Sequence, residues 1–219
     1  MCMCMWGCAQ NLVDGTVNGL LGLGIDDLSV PSILARKGLG SNSFSMCFGA
    51  DHEHGRITFG DTGSSDQKEA PFTIYQSNFY NINIYQITVG SNVSELDFSA
   101  IFDSGTTYTY LKDPAYTFIS MSFDSQVKEY RSDSQSTGFE YCYNSSNFPE
   151  ISLKLQGGNE YVVTNPVEPG NDQGIYCLAI SKIDSGDNII GQNFMTGYHI
   201  VFNREKKVIG WKASDCEYI

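Results

Sequence analysis

The stretch Ala100-Ile-Phe-Asp-Ser-Gly-Thr-Thr-Tyr-Thr-Tyr-Leu111 carries the most information about this chain. An apolar run, Ala100–Phe102, leads directly into the acidic residue Asp103, which Ser-Gly-Thr-Thr follows. Gly105 permits a tight turn that a side chain would obstruct, and Thr106 is placed to return a hydrogen bond that fixes the loop. The pattern predicts a carboxylate held at the end of a strand, facing a cleft. Taken alone, the tetrapeptide Asp-Ser-Gly-Thr is more often a capped β-turn.

Outside this stretch, short apolar runs alternate with Gly, Asn, Asp and Ser, which is typical of an all-β chain. The strands that we expect are Gly55–Gly60, Tyr80–Val89, Ala100–Phe102, Glu150–Leu155, Glu160–Thr164 and Gly174–Ile180. The stretch Tyr198–Trp211 predicts a closing hairpin. Few helices are expected. One lies within Leu28–Arg36, with Ser29 as a possible cap, and one runs from Ala115 to about Val127 after Asp113-Pro114.

Composition excludes several functions. The 219 residues carry a formal net charge of -12, which argues against nucleic acid as a partner, because phosphate binding needs clustered Lys and Arg. No apolar run of the length that spans a membrane is present. Seven cysteines and two glycosylation sequons, at Asn92 and Asn144, favour a protein built for the oxidising secretory pathway. The first eight residues lack the basic and long apolar regions of a secretory signal.

The loop at Asp103 resembles the second catalytic loop of pepsin-like aspartic peptidases. Asn188-Ile-Ile-Gly191 matches the paired aliphatic-Gly element that lies beside such a loop, and Gly197–Trp211 is similar to the closing strands of the family. Further motifs resemble the plant, nepenthesin-like branch; they are Phe44-Ser-Met-Cys-Phe48, Phe139-Glu-Tyr-Cys-Tyr143, Tyr176-Cys-Leu-Ala179 and the late Cys216. These motifs occur in the expected order over nearly the whole chain after about Trp6.

The resemblance implies a bilobal β fold whose active site lies between the lobes and cleaves peptide or protein substrates. Each lobe supplies one aspartate; here Asp103 would be catalytic, and Ser104, Gly105 and Thr106 would support its loop. The two carboxyls share a proton and hold a water, since like charges close together push one pKa upward and separate the two roles. Neither a metal nor an organic cofactor is expected. The full-length form would be extracellular or vacuolar.

The sequence departs from the family in one respect. The family places a first Asp-Thr-Gly loop before the segment that Asn18–Gly24 resembles, but only seventeen residues precede Asn18 and they contain no such loop. We therefore expect residues 1–70 to be a remnant of the N-terminal lobe with the inter-lobe strand, and residues 71–219 to be a complete C-terminal lobe. Such an incomplete chain would be inactive alone. A non-catalytic binding protein on the same fold, as in xylanase-inhibitor-like plant relatives, is the alternative, and a structural remnant without activity is a third.

The resemblance also implies two disulfides, Cys142–Cys177 and Cys47–Cys216, and leaves Cys2, Cys4 and Cys8 without an implied partner. A second Asp-Thr-Gly sequence begins at Asp61, but it follows Phe59-Gly60 and precedes a polar run. We expect Asp61 to lie in an exposed turn far from Asp103. We interpret His52-Glu53-His54 as an exposed turn and not as a metal site.

Overall fold

The computed structural model describes residues 21–50, 54–73, 78–132 and 138–217. Three helices lie among the described residues, α1 (Val30–Arg36), α2 (Ala115–Asp124) and α3 (Gln192–Met195). The first eight strands are β1 (Ser43–Phe48), β2 (Gly55–Phe59), β3 (Lys68–Thr73), β4 (Asn81–Val89), β5 (Asn92–Phe102), β6 (Thr109–Leu111), β7 (Cys142–Tyr143) and β8 (Ile151–Leu155). The remaining strands are β9 (Glu160–Val163), β10 (Val167–Pro169), β11 (Tyr176–Leu178), β12 (Ile180–Lys182), β13 (Asn188–Ile190), β14 (Tyr198–Asn203) and β15 (Val208–Ala213).

Most of these strands belong to one sheet. Ten strands follow the order β12-β6-β13-β5-β4-β3-β15-β14-β1-β2, while β8 pairs with β4 and β9 pairs with β8. A second sheet has the order β10-β11-β7. Most pairs are antiparallel, but β13 runs parallel to β5, and β12 runs parallel to β6. The expected fold class is therefore confirmed, since the described chain is mostly β with few and short helices.

Alternation of side chains places the core on one side of the strands β1, β14 and β15. Phe44, Phe202 and Ile209 lie opposite one another on these strands and are fully buried. The rings of Phe44 and Phe202 stack with centroids 4.8 Å apart, and Tyr80 of the neighbouring segment packs against both. Aromatic pairs of this kind add to the free energy gained from apolar burial. This packing helps to hold together the large sheet to which β5, the strand that leads to Asp103, also belongs.

The expected hairpin and most expected strands are present, and the differences have local causes. Gly174–Ile180 contributes to two strands in different sheets, β11 and the start of β12. Ala179 lies between them; its amide donates to the carbonyl of Pro166 and its carbonyl accepts the side chain of Asn193. Ser29 does occupy the cap position of α1, but its hydroxyl bonds Ser32 and not a helix amide. The division expected at residue 70 falls inside β3 and stays a prediction.

Two disulfides tie distant parts of the chain. Cys47 of β1 is bonded to Cys216, with Cα atoms 5.7 Å apart, and Cys142 of β7 is bonded to Cys177 of β11, with Cα atoms 3.9 Å apart. These are the two pairings that the family resemblance implied, and Cys2, Cys4 and Cys8 lie outside the described residues. Within the described ranges, no helix is long and apolar enough to cross a membrane.

Candidate active site

The candidate site begins where β5 ends. The amide of Asp103 donates to the carbonyl of Ile190, 3.0 Å away, so the parallel pairing of β5 with β13 continues to the aspartate itself. After the loop, the chain returns as β6, which pairs with β13 from the other side. The strand β13 therefore lies between two strands that the Asp103 loop connects. This arrangement sets the loop at the ends of two buried strands.

Both oxygens of the Asp103 carboxylate accept hydrogen bonds within the loop. The amide of Gly105 donates to Oδ1 over 3.0 Å, and the hydroxyl of Thr106 donates to Oδ2 over 2.7 Å. Ser104, which follows Asp103, is 1% exposed, whereas Asp103 remains half-buried. The loop therefore holds its carboxylate in one orientation and leaves part of it accessible. The four consecutive residues Asp103–Thr106 thus form one hydrogen-bonded loop, and its catalytic role stays a prediction.

Gly191 lets another part of the chain pack against this loop. A Cβ atom at Gly191 would lie 2.3 Å from the carbonyl oxygen of Tyr108 and 3.0 Å from that of Thr106. The following amides of Gln192 and Asn193 donate to the carbonyls of Thr106 and Thr107, over 2.8 and 3.0 Å. The glycine of Asn188-Ile-Ile-Gly191 is therefore required by close approach, since any side chain would overlap the loop backbone.

Sequence reasoning missed a buried polar network beneath the loop. The hydroxyl of Thr109 donates to Oδ1 of Asn193 over 3.0 Å and accepts the amide of Gly191 over 3.1 Å. Nδ2 of Asn193 also donates to the carbonyl of Ala179 over 2.8 Å. Thr109 and Asn193 are 0% and 3% exposed, and burial of polar groups is tolerated because they are hydrogen-bonded. The sequence signal that could have revealed this network was the presence of the polar residues Thr109 and Asn193 among apolar neighbours.

Charges and aromatic rings surround the loop unevenly. Within the described ranges, no ion pair joins Asp103 to a basic residue. At the end of the loop, just before β6, the ring of Tyr108 meets the ring of Phe139 edge-on, with centroids 4.8 Å apart. Burial raises the pKa of the Tyr108 hydroxyl, and the nearby Glu168 and Tyr110 add to this effect. Tyr108 is therefore a neutral, partly exposed aromatic group beside the candidate site.

The second Asp-Thr-Gly sequence is placed differently from our expectation of an exposed turn. The side chain of Asp61 is only 24% exposed. Its Oδ2 accepts hydrogen bonds from Ser45 Oγ at 2.6 Å and from His199 Nε2 at 3.1 Å, and its Oδ1 accepts the Gly63 amide at 2.8 Å. The turn is exposed at Thr62 and at residues 64–66, but the expectation of an exposed Asp61 was wrong, because its carboxylate folds back onto the sheet.

Asp61 nevertheless forms no pair with Asp103. In the order of the large sheet, five strands separate β2, which precedes Asp61, from β5, which precedes Asp103. A cavity of about 470 Å³ beside Asp61 is lined by Ser45, Cys47, Arg56, Thr58, Phe59, Gly60, Asp61 and His199, and by no residue of the Asp103 loop. Asp61 therefore belongs to a separate polar cluster.

The family assignment comes from the sequence. Residues 8–213 match the family model described as eukaryotic aspartyl protease. The chain is 51% identical over 227 residues to Aspartyl protease family protein 1 of Arabidopsis thaliana, covering 96% of this chain and 44% of that protein. It is 26% identical to aspartic proteinase nepenthesin-2 of Nepenthes gracilis, covering 96% of this chain and 53% of that protein. The chain thus spans about half the length of the relatives that it matches.

Solved structures show the same fold at lower identity. Basic 7S globulin from soybean superposes with a TM-score of 0.80 at 19% identity, over 94% of this chain and 60% of that chain. An aspartic proteinase from Irpex lacteus superposes with a TM-score of 0.76 at 21% identity, over 94% and 71%. The motif at Asp103, the element at Gly191 and the plant relatives agree with the family model. The chain therefore belongs to the eukaryotic aspartyl protease family, in its pepsin-like plant branch.

Proposed function

We propose that this chain is part of an aspartic endopeptidase, in which Asp103 supplies one of the two carboxylates that activate a water molecule. The observation that carries the proposal is the geometry of the Asp103 loop. Its carboxylate stands at the end of β5, held at both oxygens by Gly105 and Thr106 and left partly accessible. A catalytic group must be oriented before the substrate arrives, because this lowers the cost of reaching the transition state.

Peptide hydrolysis by this chemistry needs two carboxyls. One is ionised and removes a proton from the attacking water, while the other is protonated and donates a hydrogen bond to the oxygen of the scissile carbonyl. Among the described residues, no second carboxylate is hydrogen-bonded to the Asp103 loop. This supports the proposal that the second carboxyl comes from a part of the protein outside these residues. Asp61 is not the second carboxyl, because its oxygens are bound by Ser45, His199 and Gly63 on another part of the sheet.

The proposal is tested with a fusion protein. The part of the 51% identical Arabidopsis relative that precedes the matched region is joined to this chain, and peptide hydrolysis is measured between about pH 3 and 6, where carboxyl groups titrate. We expect turnover by the fusion, loss of turnover in its Asp103→Asn variant, and no turnover by the chain alone. Hydrolysis by a folded Asp103→Asn fusion at the wild-type rate would contradict the role of Asp103.

A non-catalytic binding protein on the same fold is the second candidate. The specific observation in its favour is the superposition on soybean basic 7S globulin, which has a higher TM-score than that on the Irpex proteinase. A folded fusion that binds a peptide-like inhibitor but releases no product would support this candidate. The retained Asp103-Ser-Gly-Thr loop favours the peptidase, since binding alone makes no chemical demand for it.

The proposed route is secretory, with an extracellular or vacuolar destination. Two disulfides fit an oxidising compartment. Asn144 is exposed, and Asn92 lies at the start of β5, next to the exposed turn that follows β4. Exposure of Asn144 and partial exposure of Asn92 support the proposal that both carry glycans. Expression in plant cells should give a mass shift that removal of N-glycans reverses and that Asn92→Gln with Asn144→Gln abolishes.

A further inference from the structure

The segment Gly60–Gln67, here called the outer loop, covers the face of the sheet opposite the aromatic core. Ser45, Val201 and Gly210 lie side by side on β1, β14 and β15. They alternate with the core residues and so point to the outer face, yet all three are buried. The side chain of Gln67 occupies the space above Gly210, since a Cβ atom there would lie 2.4 Å from its Nε2. The outer loop therefore replaces solvent over the centre of this face.

Asp61 is the residue that joins the outer loop to two central strands. Ser45 on β1 and His199 on β14 both donate to its Oδ2, at 2.6 and 3.1 Å. Its Oδ1 accepts the amide of Gly63, whose φ of +81° turns the loop sharply. Cavities of about 470 and 390 Å³ adjoin the Asp61–His199 contact. The loop is thus held by a polar contact next to open space and not by apolar packing alone.

Other charged groups around this contact are engaged elsewhere. Arg56 of β2 lines the larger cavity and donates to the carbonyl of Cys216 over 3.2 Å. Lys212 of β15 lines the smaller cavity and pairs with Asp66 of the outer loop over 2.7 Å. The pair Asp66–Lys212 is exposed on both sides. Both polar contacts that hold the outer loop to β14 and β15 therefore depend on an ionised aspartate.

We propose that Asp61, Ser45 and His199 form an acid-sensitive clasp, which holds the outer loop on the sheet and releases it when the Asp61 carboxylate gains a proton. Charge-assisted hydrogen bonds are stronger than neutral ones, so protonation weakens the contacts to both strands together. Release exposes the outer face at Ser45, Val201 and Gly210. The clasp acts independently of the proposed peptidase chemistry, because it involves none of the residues of the Asp103 loop.

The direction of the pH effect follows from the pKa of Asp61. Burial alone would raise this pKa, but hydrogen bonds from Ser45 and the Gly63 amide, together with His199, outweigh burial and lower it below 3.8. A carboxyl whose pKa is lowered by folding stabilises the folded state above its unfolded pKa, and this stabilisation is lost as the pH falls through the folded pKa. The clasp therefore stays closed at pH 4 and above, and it opens as the pH falls through this lowered pKa. The Lys212 hydrogen bond lowers the pKa of Asp66 to about 2, so this second contact fails at still lower pH.

The test is NMR relaxation of the full chain between about pH 6 and 2, because the amide of Gly63 reports directly on Asp61 Oδ1. We expect the order parameters of residues 60–67 to stay near about 0.85 above pH 4 and to fall below about 0.6 as the Gly63 amide shift titrates. In Asp61→Ala they should be low at every pH. In His199→Gln, the pH midpoint at which the Gly63 amide shift titrates should rise.

A matched control separates the clasp from a general effect of charge. Asp97 is an exposed carboxylate on β5, and Asp97→Ala should leave the outer loop ordered and its titration unchanged. Two outcomes would overturn the proposal: an outer loop as rigid in a folded Asp61→Ala as in the wild type, or loop order that does not follow the Gly63 titration. The amide spectrum of α2, which is remote in sequence from the clasp, shows that each variant is folded.

Discussion

Two loops of this protein share the pattern Asp-Ser/Thr-Gly and use it in opposite ways. In both, Oδ1 of the aspartate accepts the amide of the glycine two residues later, over 3.0 Å at Asp103 and 2.8 Å at Asp61. They differ at Oδ2. At Asp103, Oδ2 accepts a hydrogen bond from the hydroxyl of Thr106 in its own loop. At Asp61, Oδ2 accepts hydrogen bonds from Ser45 and His199 on two other strands. The bond to Oδ1 is shared although the backbone differs, since Gly63 has a φ of +81° and Gly105 has no positive φ. The partners of Oδ2 separate a presented carboxylate from an anchoring one.

The two loops are supported in different ways. The Asp103 loop is held by its backbone, because Gly191 and the amides after it pack on the loop carbonyls. Within the part of the chain that the structure describes, its carboxylate has hydrogen-bond partners only in its own loop. The Asp61 loop is held by the carboxylate itself. Removing the Asp61 carboxylate should therefore lower stability, whereas removing the Asp103 carboxylate should affect the proposed chemistry.

The largest expected loss of stability follows from Gly191→Ala. Its Cβ atom would lie 2.3 Å from the carbonyl oxygen of Tyr108, and backbone atoms move only at high cost, so we expect a loss of about 3 kcal/mol in the free energy of unfolding. Urea unfolding followed by circular dichroism measures it. Gly55→Ala is the matched control, since its Cβ atom would make an ordinary contact at 3.6 Å and should change stability by less than about 1 kcal/mol. Equal losses in the two variants would contradict the packing argument.

A smaller loss is expected when each aspartate is truncated at neutral pH. Asp61→Ala leaves the buried hydroxyl of Ser45 and the amide of Gly63 without their acceptor, so we expect a loss of about 2 kcal/mol. Asp103→Ala should cost less than about 1 kcal/mol, because its donors Gly105 and Thr106 are accessible enough to bond water. Thermal or urea unfolding of the two variants measures the difference. A larger loss for Asp103→Ala would reverse the comparison.

The smallest effect is expected from removing one hydroxyl. Ser45→Ala deletes a donor to Asp61, so we expect a loss of about 1 kcal/mol at pH 7. This loss should shrink below pH 3.8, because the hydroxyl helps to lower the pKa of Asp61 and thereby stabilises mainly the ionised form. Unfolding measured at pH 7 and about pH 3 checks it. Ser94→Ala, on β5 and only half-buried, is a control, and a pH-independent loss in Ser45→Ala would count against the charge-assisted bond.

Sequence patterns predicted most of the sheet and the centre of the site. The residues of the Asp103 loop and the element ending at Gly191 were recognisable because a tight approach between two backbones requires particular residue types at fixed positions. The strand β1 was not predicted, since Ser43–Phe48 is buried on both faces and shows no contrast between them. A fully buried strand hides the alternation on which such predictions depend.

The position of Asp61 was beyond reach for a different reason. Its surroundings, Gly60 and a following polar run, are those of a surface turn, and the partners Ser45 and His199 lie 16 and 138 residues away in the chain. Local sequence does not report contacts of that range. The network of Thr109 and Asn193 was missed likewise, because Thr109 lies in β6 and Asn193 in α3, 84 residues apart, and the two meet only in the folded chain.

The most direct test of this account compares the two aspartates in one activity measurement. Peptide hydrolysis by the fusion with the Arabidopsis segment is measured for the wild type, Asp103→Asn and Asp61→Asn at about pH 4, where the clasp is closed, at a temperature at which all three are folded. We predict that Asp103→Asn lowers the rate by at least about 100-fold, since general acid–base groups contribute on the order of 10² to 10⁴, and that Asp61→Asn changes it by less than about threefold. Equal rates for the wild type and Asp103→Asn, or an equal loss in Asp61→Asn, would contradict the assignment of chemistry to Asp103 and of anchoring to Asp61.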